Sequence, residues 1–81
     1  MNIYKVERTD MVDYDEFDSF VCFAENAKAA RNMPPQKIDH YSKAWGETWI
    51  KKEDVNTLKV TLIGNGKAKR ERVILNSFNA G

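Results

Sequence analysis

Four stretches of the chain carry the apolar pattern of a β-strand. In Asn2 to Arg8, the strand formers Ile3, Tyr4 and Val6 alternate with the charges of Lys5 and Glu7. Asp18 to Ala24 predicts a second strand, and its segment Phe20 to Ala24 is so apolar that both faces are expected to be covered. Thr57 to Ile63 is the clearest of the four, with Leu58, Val60 and Leu62 facing one way and Thr57, Lys59 and Thr61 the other. Arg72 to Phe78 is the last, centred on Val73, Ile74 and Leu75. Between the first two lies Thr9 to Phe17, whose Asp10, Asp13, Asp15 and Glu16 disfavour strand and predict an acidic loop.

One helix is predicted, directly after the second strand. Asn26 suits the N-cap, Glu25 suits the positive helix end, and Ala27 to Arg31 are good helix formers. Pro34 and Pro35 end it. Two turns cannot stand alone in water, so the helix is expected to pack on the sheet. Residues 34 to 49 show no clean period. They read as a loop with one helical turn at Ile38 to Ala44, and Trp49 and Ile50 begin a short strand. Glu53 and Asp54 suit a turn. Gly64-Asn65-Gly66 is a strong turn signal and predicts that the last two strands form a hairpin with a long basic tip, GNGKAKRE. The order is β-β-α-β-β. This is an α+β class fold with a small, mostly antiparallel sheet of about four strands and one short helix on a face.

With 81 residues the chain is read as a single domain, residues 1–81, too short for two separate cores. Apolar residues at 42% and charged residues at 31% exclude disordered and collagen-like classes. Phe20 to Ala24 is the longest uncharged apolar run, so no membrane span is expected. The opening MNIYKVERTD lacks a basic segment followed by an apolar one, so no signal peptide is expected either. The single cysteine, Cys22, rules out an intramolecular disulfide and a multi-cysteine zinc site, and a reducing cytoplasm is the default.

The net charge of +1 hides a gradient. Residues 1–25 hold seven acids against two bases, a net −5, whereas residues 26–81 hold eleven bases against five acids, a net +6. Opposite faces for different partners would follow, or attraction between the halves. The acidic part centres on Asp13, Tyr14, Asp15, Glu16 and Asp18, a D-x-D-E-x-D run with Tyr14 and Phe17 placed among the acids. Carboxylates at this spacing could bind a hard cation, but the glycine and the twelfth-position glutamate of a calcium-binding EF-hand loop are missing, and no metal is assigned. Aromatics among charges suit a protein-binding surface, the alternative being a solvated loop. The basic part centres on Lys67, Lys69, Arg70 and Arg72, with Lys51, Lys52 and Lys59 as spatial neighbours. It could neutralise phosphates while Trp45, Trp49 or Tyr41 stacks on bases. A pI near 7.8 and the interrupting Glu71 argue for a plain soluble tip instead.

Catalytic chemistry has little to work with. His40 is the only histidine, and Cys22 lies in an apolar strand where a thiol is usually inert. The tryptophans read as satellite core. Gly64-x-Gly66 is no phosphate loop, since no Lys-Ser or Lys-Thr opens a helix after it. No cofactor and no enzymatic activity are expected.

The opening IYKVERTD, the following YDEFDSFV, the AENAKAARN helix and the closing TLKVTLIG and VILNSFNAG together resemble a group of small uncharacterised accessory proteins of tailed bacteriophages. The similarity touches Tyr4 to Asp10, Tyr14 to Val21, Ala24 to Asn32, Asp54 to Gly64 and Val73 to Gly81. The chain departs from it at Met33 to Lys43 and at Lys67 to Arg72. The resemblance carries no catalytic residues. It implies a non-enzymatic accessory protein in the host cytoplasm that binds and modulates a host macromolecule, foremost as an inhibitor of a host defence system. Asp13, Tyr14, Asp15, Glu16 and Asp18 are the expected contact residues. The alternatives are a nucleic-acid-binding module built on the basic tip and a small-ligand (nucleotide) binder, the latter as a homo-oligomer because so short a chain builds a deep pocket most easily between subunits.

Overall fold

The computed structural model describes residues 1–36 and 44–80. The predicted helical turn at Ile38 to Ala44, together with His40 and Tyr41, lies outside the described residues, apart from Ala44 itself. Strands β1 (Asn2–Glu7), β2 (Glu16–Ala24), β3 (Lys59–Asn65) and β4 (Arg72–Asn79) form one antiparallel sheet in the order β3-β1-β2-β4. The helix α1 spans Ala27–Arg31, and a 3-10 helix spans Lys52–Thr57, where a turn is predicted. The α+β class and the element order are as the sequence predicts.

The N-cap is the predicted one. Asn26 is extended and its side chain accepts the backbone N–H of Ala29 at 2.8 Å. So short a helix is held by packing: Ala30 is fully buried against the sheet. Tyr4 and Val6 of β1 and Phe20, Cys22 and Ala24 of β2 point to the same side as the helix. Trp49, Ile50 and Leu58 close over them, with Phe20 and Trp49 rings tilted by 60° at 5.4 Å. Where a strand is predicted at Trp49, the chain instead makes a tight turn from Ala44 that bridges Trp45 to Trp49. Gly46 within it has φ +81°, a left-handed conformation that favours glycine.

Three expectations are corrected. The last two strands do not form a hairpin. β3 pairs with β1 and β4 with β2, so they occupy opposite edges and residues 66–71 cross the end of the sheet. The central strands gain a partner on each side this way, whereas a β3–β4 hairpin would leave more of β1 and β2 unpaired. Crossing the two central strands takes about 14 Å at ~4.8 Å per strand, well within the reach of six residues. Second, β2 is not covered on both faces. The pairs Ile3–Phe23, Lys5–Val21, Val21–Leu75 and Phe23–Arg72 place these residues on the face away from α1, where Val21 and Phe23 are only half-buried. Third, Lys51, Lys52 and Lys59 are not neighbours of the Lys67 to Arg72 cluster. Lys59 opens β3 and Lys51 and Lys52 open the 3-10 helix before it, whereas the cluster follows the far end of β3.

β-Bulges interrupt the ladder at Phe17/Ser19, at Val21/Cys22 and at Ile3/Tyr4. The first leaves Asp18 unpaired with β4 and explains why Phe17 and Phe20, three residues apart, both face the core.

Candidate functional site

The acidic segment between β1 and β2 is a built structure. Arg8 leaves the end of β1 with its side chain only 6% exposed and grips Asp10 through two hydrogen bonds, Nε to Oδ1 at 2.8 Å and Nη2 to Oδ2 at 2.7 Å. Nη1 stands 3.4 Å from Glu16 Oε1, an ion pair without hydrogen-bond alignment. Glu16 in turn accepts the backbone N–H of Asp13 at 2.9 Å. The hydrogen bonds from Arg8 hold the Asp10 carboxyl below its ordinary pKa against a smaller opposing effect of burial, and Asp10 correspondingly raises the guanidinium.

The loop is also tied to distant parts of the chain. The N–H of Asp15 donates to the Asn79 carbonyl at 2.6 Å, and Asn79 Nδ2 donates to the Asp13 carbonyl at 3.1 Å. Phe17 N–H donates to the Thr48 carbonyl at 2.7 Å and Thr9 Oγ1 to the Thr57 carbonyl at 2.8 Å. Asp15 adopts φ 61°, a left-handed conformation that aspartate tolerates better than most residues. Tethers of this kind hold the loop in one shape, which lowers the ordering cost of any contact it makes.

Of the five predicted contact residues, Asp13, Tyr14 and Asp15 are displayed and two are used internally. Glu16 belongs to the Arg8 cluster. Asp18 accepts from Ser19 Oγ at 2.8 Å and from Ser77 Oγ at 3.2 Å, fastening β2 to β4. Met11 joins the displayed set. It is 92% exposed, beside Tyr14 at 73%. One methionine in an acidic loop has no periodicity to mark it, so its exposure is not legible from the residues alone. Phe78 borders the same end of the sheet, its ring 4.9 Å from Phe17. Among the described residues no group of three or more His, Cys, Asp or Glu could hold a metal ion.

The alternative nucleic-acid residues are not brought together. Lys67, Lys69, Arg70 and Arg72 are exposed at the opposite end of the sheet from the acidic loop. Trp49 is 1% exposed within the core and offers no face to a base. Trp45 is half-buried with Lys52 Nζ 4.2 Å above its ring. Both tryptophans sit by Thr48, which bonds to Phe17, at the acidic end. The aromatic beside the bases is Phe23, which lies 5.4 Å from the Arg72 guanidinium and packs close to Gly66. A depression of about 460 Å³ lined by Met33, Pro34, Gln36 and Arg70 to Val73 lies beside them and opens to solvent. Cys22 is fully buried, and burial, aided by the charge of Glu71, pushes its thiol up to about 11, far from the range of a nucleophile at neutral pH.

No protein-family model matches this chain, and no curated protein or solved structure matches it. Among the described residues no helix is long and apolar enough to cross a membrane.

Proposed function

We propose that the chain is a non-enzymatic binding protein that docks the Met11 to Asp15 tip onto a partner protein. The observation that carries this reading is the exposure of Met11 and Tyr14 on a loop tethered by Arg8 and Asn79. Large apolar side chains held exposed at fixed positions are the kind of anchor that protein interfaces use. The flanking Asp13 and Asp15 select a partner with a basic rim around an apolar pocket, and they speed encounter more than they tighten binding.

The resemblance to small phage accessory proteins makes a host protein in the host cytoplasm the natural partner, and inhibition of a defence system the proposed consequence. Nucleic acid is the weaker candidate, because Trp49 is enclosed and Trp45 stands at the far end from the basic residues.

The test is affinity purification from the bacterial host, with half of each sample treated with nuclease, comparing the native chain with Met11→Ala/Tyr14→Ala and Asp13→Lys variants. A stoichiometric protein that survives nuclease and is lost from both variants is expected. Retention of that protein by both variants removes the tip from the reading, and nucleic acid captured through Lys67 to Arg72 replaces it.

A further inference from the structure

The two edges of the sheet end in opposite electrostatic surroundings, and only one of them is matched to a copy of itself. β4 begins at Arg72, after Lys67, Lys69, Arg70 and the single interposed acid Glu71, and ends at Asn79, which bonds to the backbone of Asp13 and Asp15. From Val73 to Asn79 it carries no charge and no proline. No described residue pairs with its outer side. Ile74, Leu75 and Phe78 along it are 41%, 58% and 46% exposed. Edge strands are normally blunted by an inward charge, a lysine, a proline or a bulge; β4 has no charge, lysine or proline between its ends, and its bulge at Ile74 leaves Leu75 to Asn79 as the regular pairing edge.

We propose that β4 pairs antiparallel with β4 of a second copy across a two-fold axis, making one continuous eight-stranded sheet. Antiparallel pairing lays the Arg72 end of each strand beside the partner's Asp13 and Asp15 end, so both ends of the contact are complementary, and the two-fold closes the assembly at two copies. The uncharged middle then pairs backbone to backbone, and Leu75 carries the open face of one sheet onto the other. β3 cannot substitute. It is equally uncharged from Val60 to Asn65 but begins at Lys59 and is followed by Lys67, so self-pairing would set base against base at both ends. Joining β3 to β4 of another copy fails at one end for either direction and, being head-to-tail, would build rings or open filaments rather than a closed pair. The contact shares Asp13 and Asp15 with the proposed docking tip but does not use Met11 and Tyr14, so Met11→Ala/Tyr14→Ala should lose the tip's partner and remain dimeric.

Sedimentation velocity on the full chain over a range of concentrations tests it. A species of twice the 9.4 kDa chain mass is expected in low salt, dissociating as salt screens the paired ends. Leu75→Lys places two like charges near the axis on a side chain already in solvent, so it should give a folded monomer by circular dichroism. Leu62→Lys on the β3 edge should remain dimeric. A native chain that stays monomeric at every concentration in low salt overturns the proposal. So does a dimer indifferent to Leu75→Lys, a dimer abolished by Leu62→Lys, a dimer unaffected by salt, or growth beyond two copies.

Discussion

Arg8 and Asp10 lie two residues apart and form a bidentate pair, with donor–acceptor distances of 2.8 and 2.7 Å, at the point where the chain leaves β1. The guanidinium is nearly enclosed while the carboxylate remains half in solvent. The charge that matters structurally is therefore the arginine, which also faces Glu16. Arg8→Ala should cost on the order of 1–3 kcal/mol, since it leaves two carboxylates without their shared cation. Lysine should not rescue it fully, because an ammonium cannot fork onto both oxygens. Urea denaturation of the three proteins checks this. Equal stability of Arg8→Lys and the native chain would contradict the bidentate role.

The same pair sets an acid limit. Asp10 has its pKa lowered in the folded state, so its contribution is complete above the ordinary aspartate value of about 3.9 and is lost as pH falls through the lowered value. Stability of the native chain should fall on acidification through that window. Asp10→Asn should be less stable near neutrality and show a shallower acid limb. Chemical denaturation at a series of pH values separates the two curves, and parallel curves would refute the coupling.

Trp49 and Phe20 form the centre of the core, so Trp49→Ala should cost about 3–5 kcal/mol. In a domain of this size that loss threatens folding altogether. Trp45→Ala, at a half-buried site under Lys52, should cost less. Thermal melts by circular dichroism give the ranking, and a smaller loss at Trp49 than at Trp45 would reverse the assignment of core.

Cys22 should be unreactive. Its thiol is buried and its pKa is pushed up to about 11, so a thiol reagent at neutral pH should modify it only as fast as the chain opens. Modification should speed up sharply in denaturant. Cys22→Ser, which places a hydroxyl among apolar neighbours, should cost about 1–3 kcal/mol. Rapid labelling of the folded chain would overturn this.

The local elements were legible because each depends on its own residues. Alternation marks β1 and β3, and Asn26 followed by alanines marks α1 with its cap. Partnership between strands was not legible. Gly64-Asn65-Gly66 announces a change of direction, and a hairpin and a crossover both begin with one. The bulge at Asp18 cannot be seen in the sequence, because nothing in EFDSF distinguishes a slipped residue from a paired one. At the site, Asp13, Tyr14 and Asp15 were identified by composition, whereas the internal use of Glu16 and Asp18 depends on Arg8 and Ser77 arriving from other strands. Trp49 was placed among polar neighbours in sequence, and only the turn at Gly46 brings it over Phe20.

The crossover at residues 66–71 also bears on the order of assembly. β1 and β2 are joined directly and can meet early as a local unit, but Val6 must find Val60 and Val21 must find Leu75 across most of the chain. Because six residues link the two outer strands, docking one delivers the other to its own edge at little further entropic cost. The outer strands should therefore arrive as a coupled pair, clasping the central hairpin from both sides in a single cooperative step.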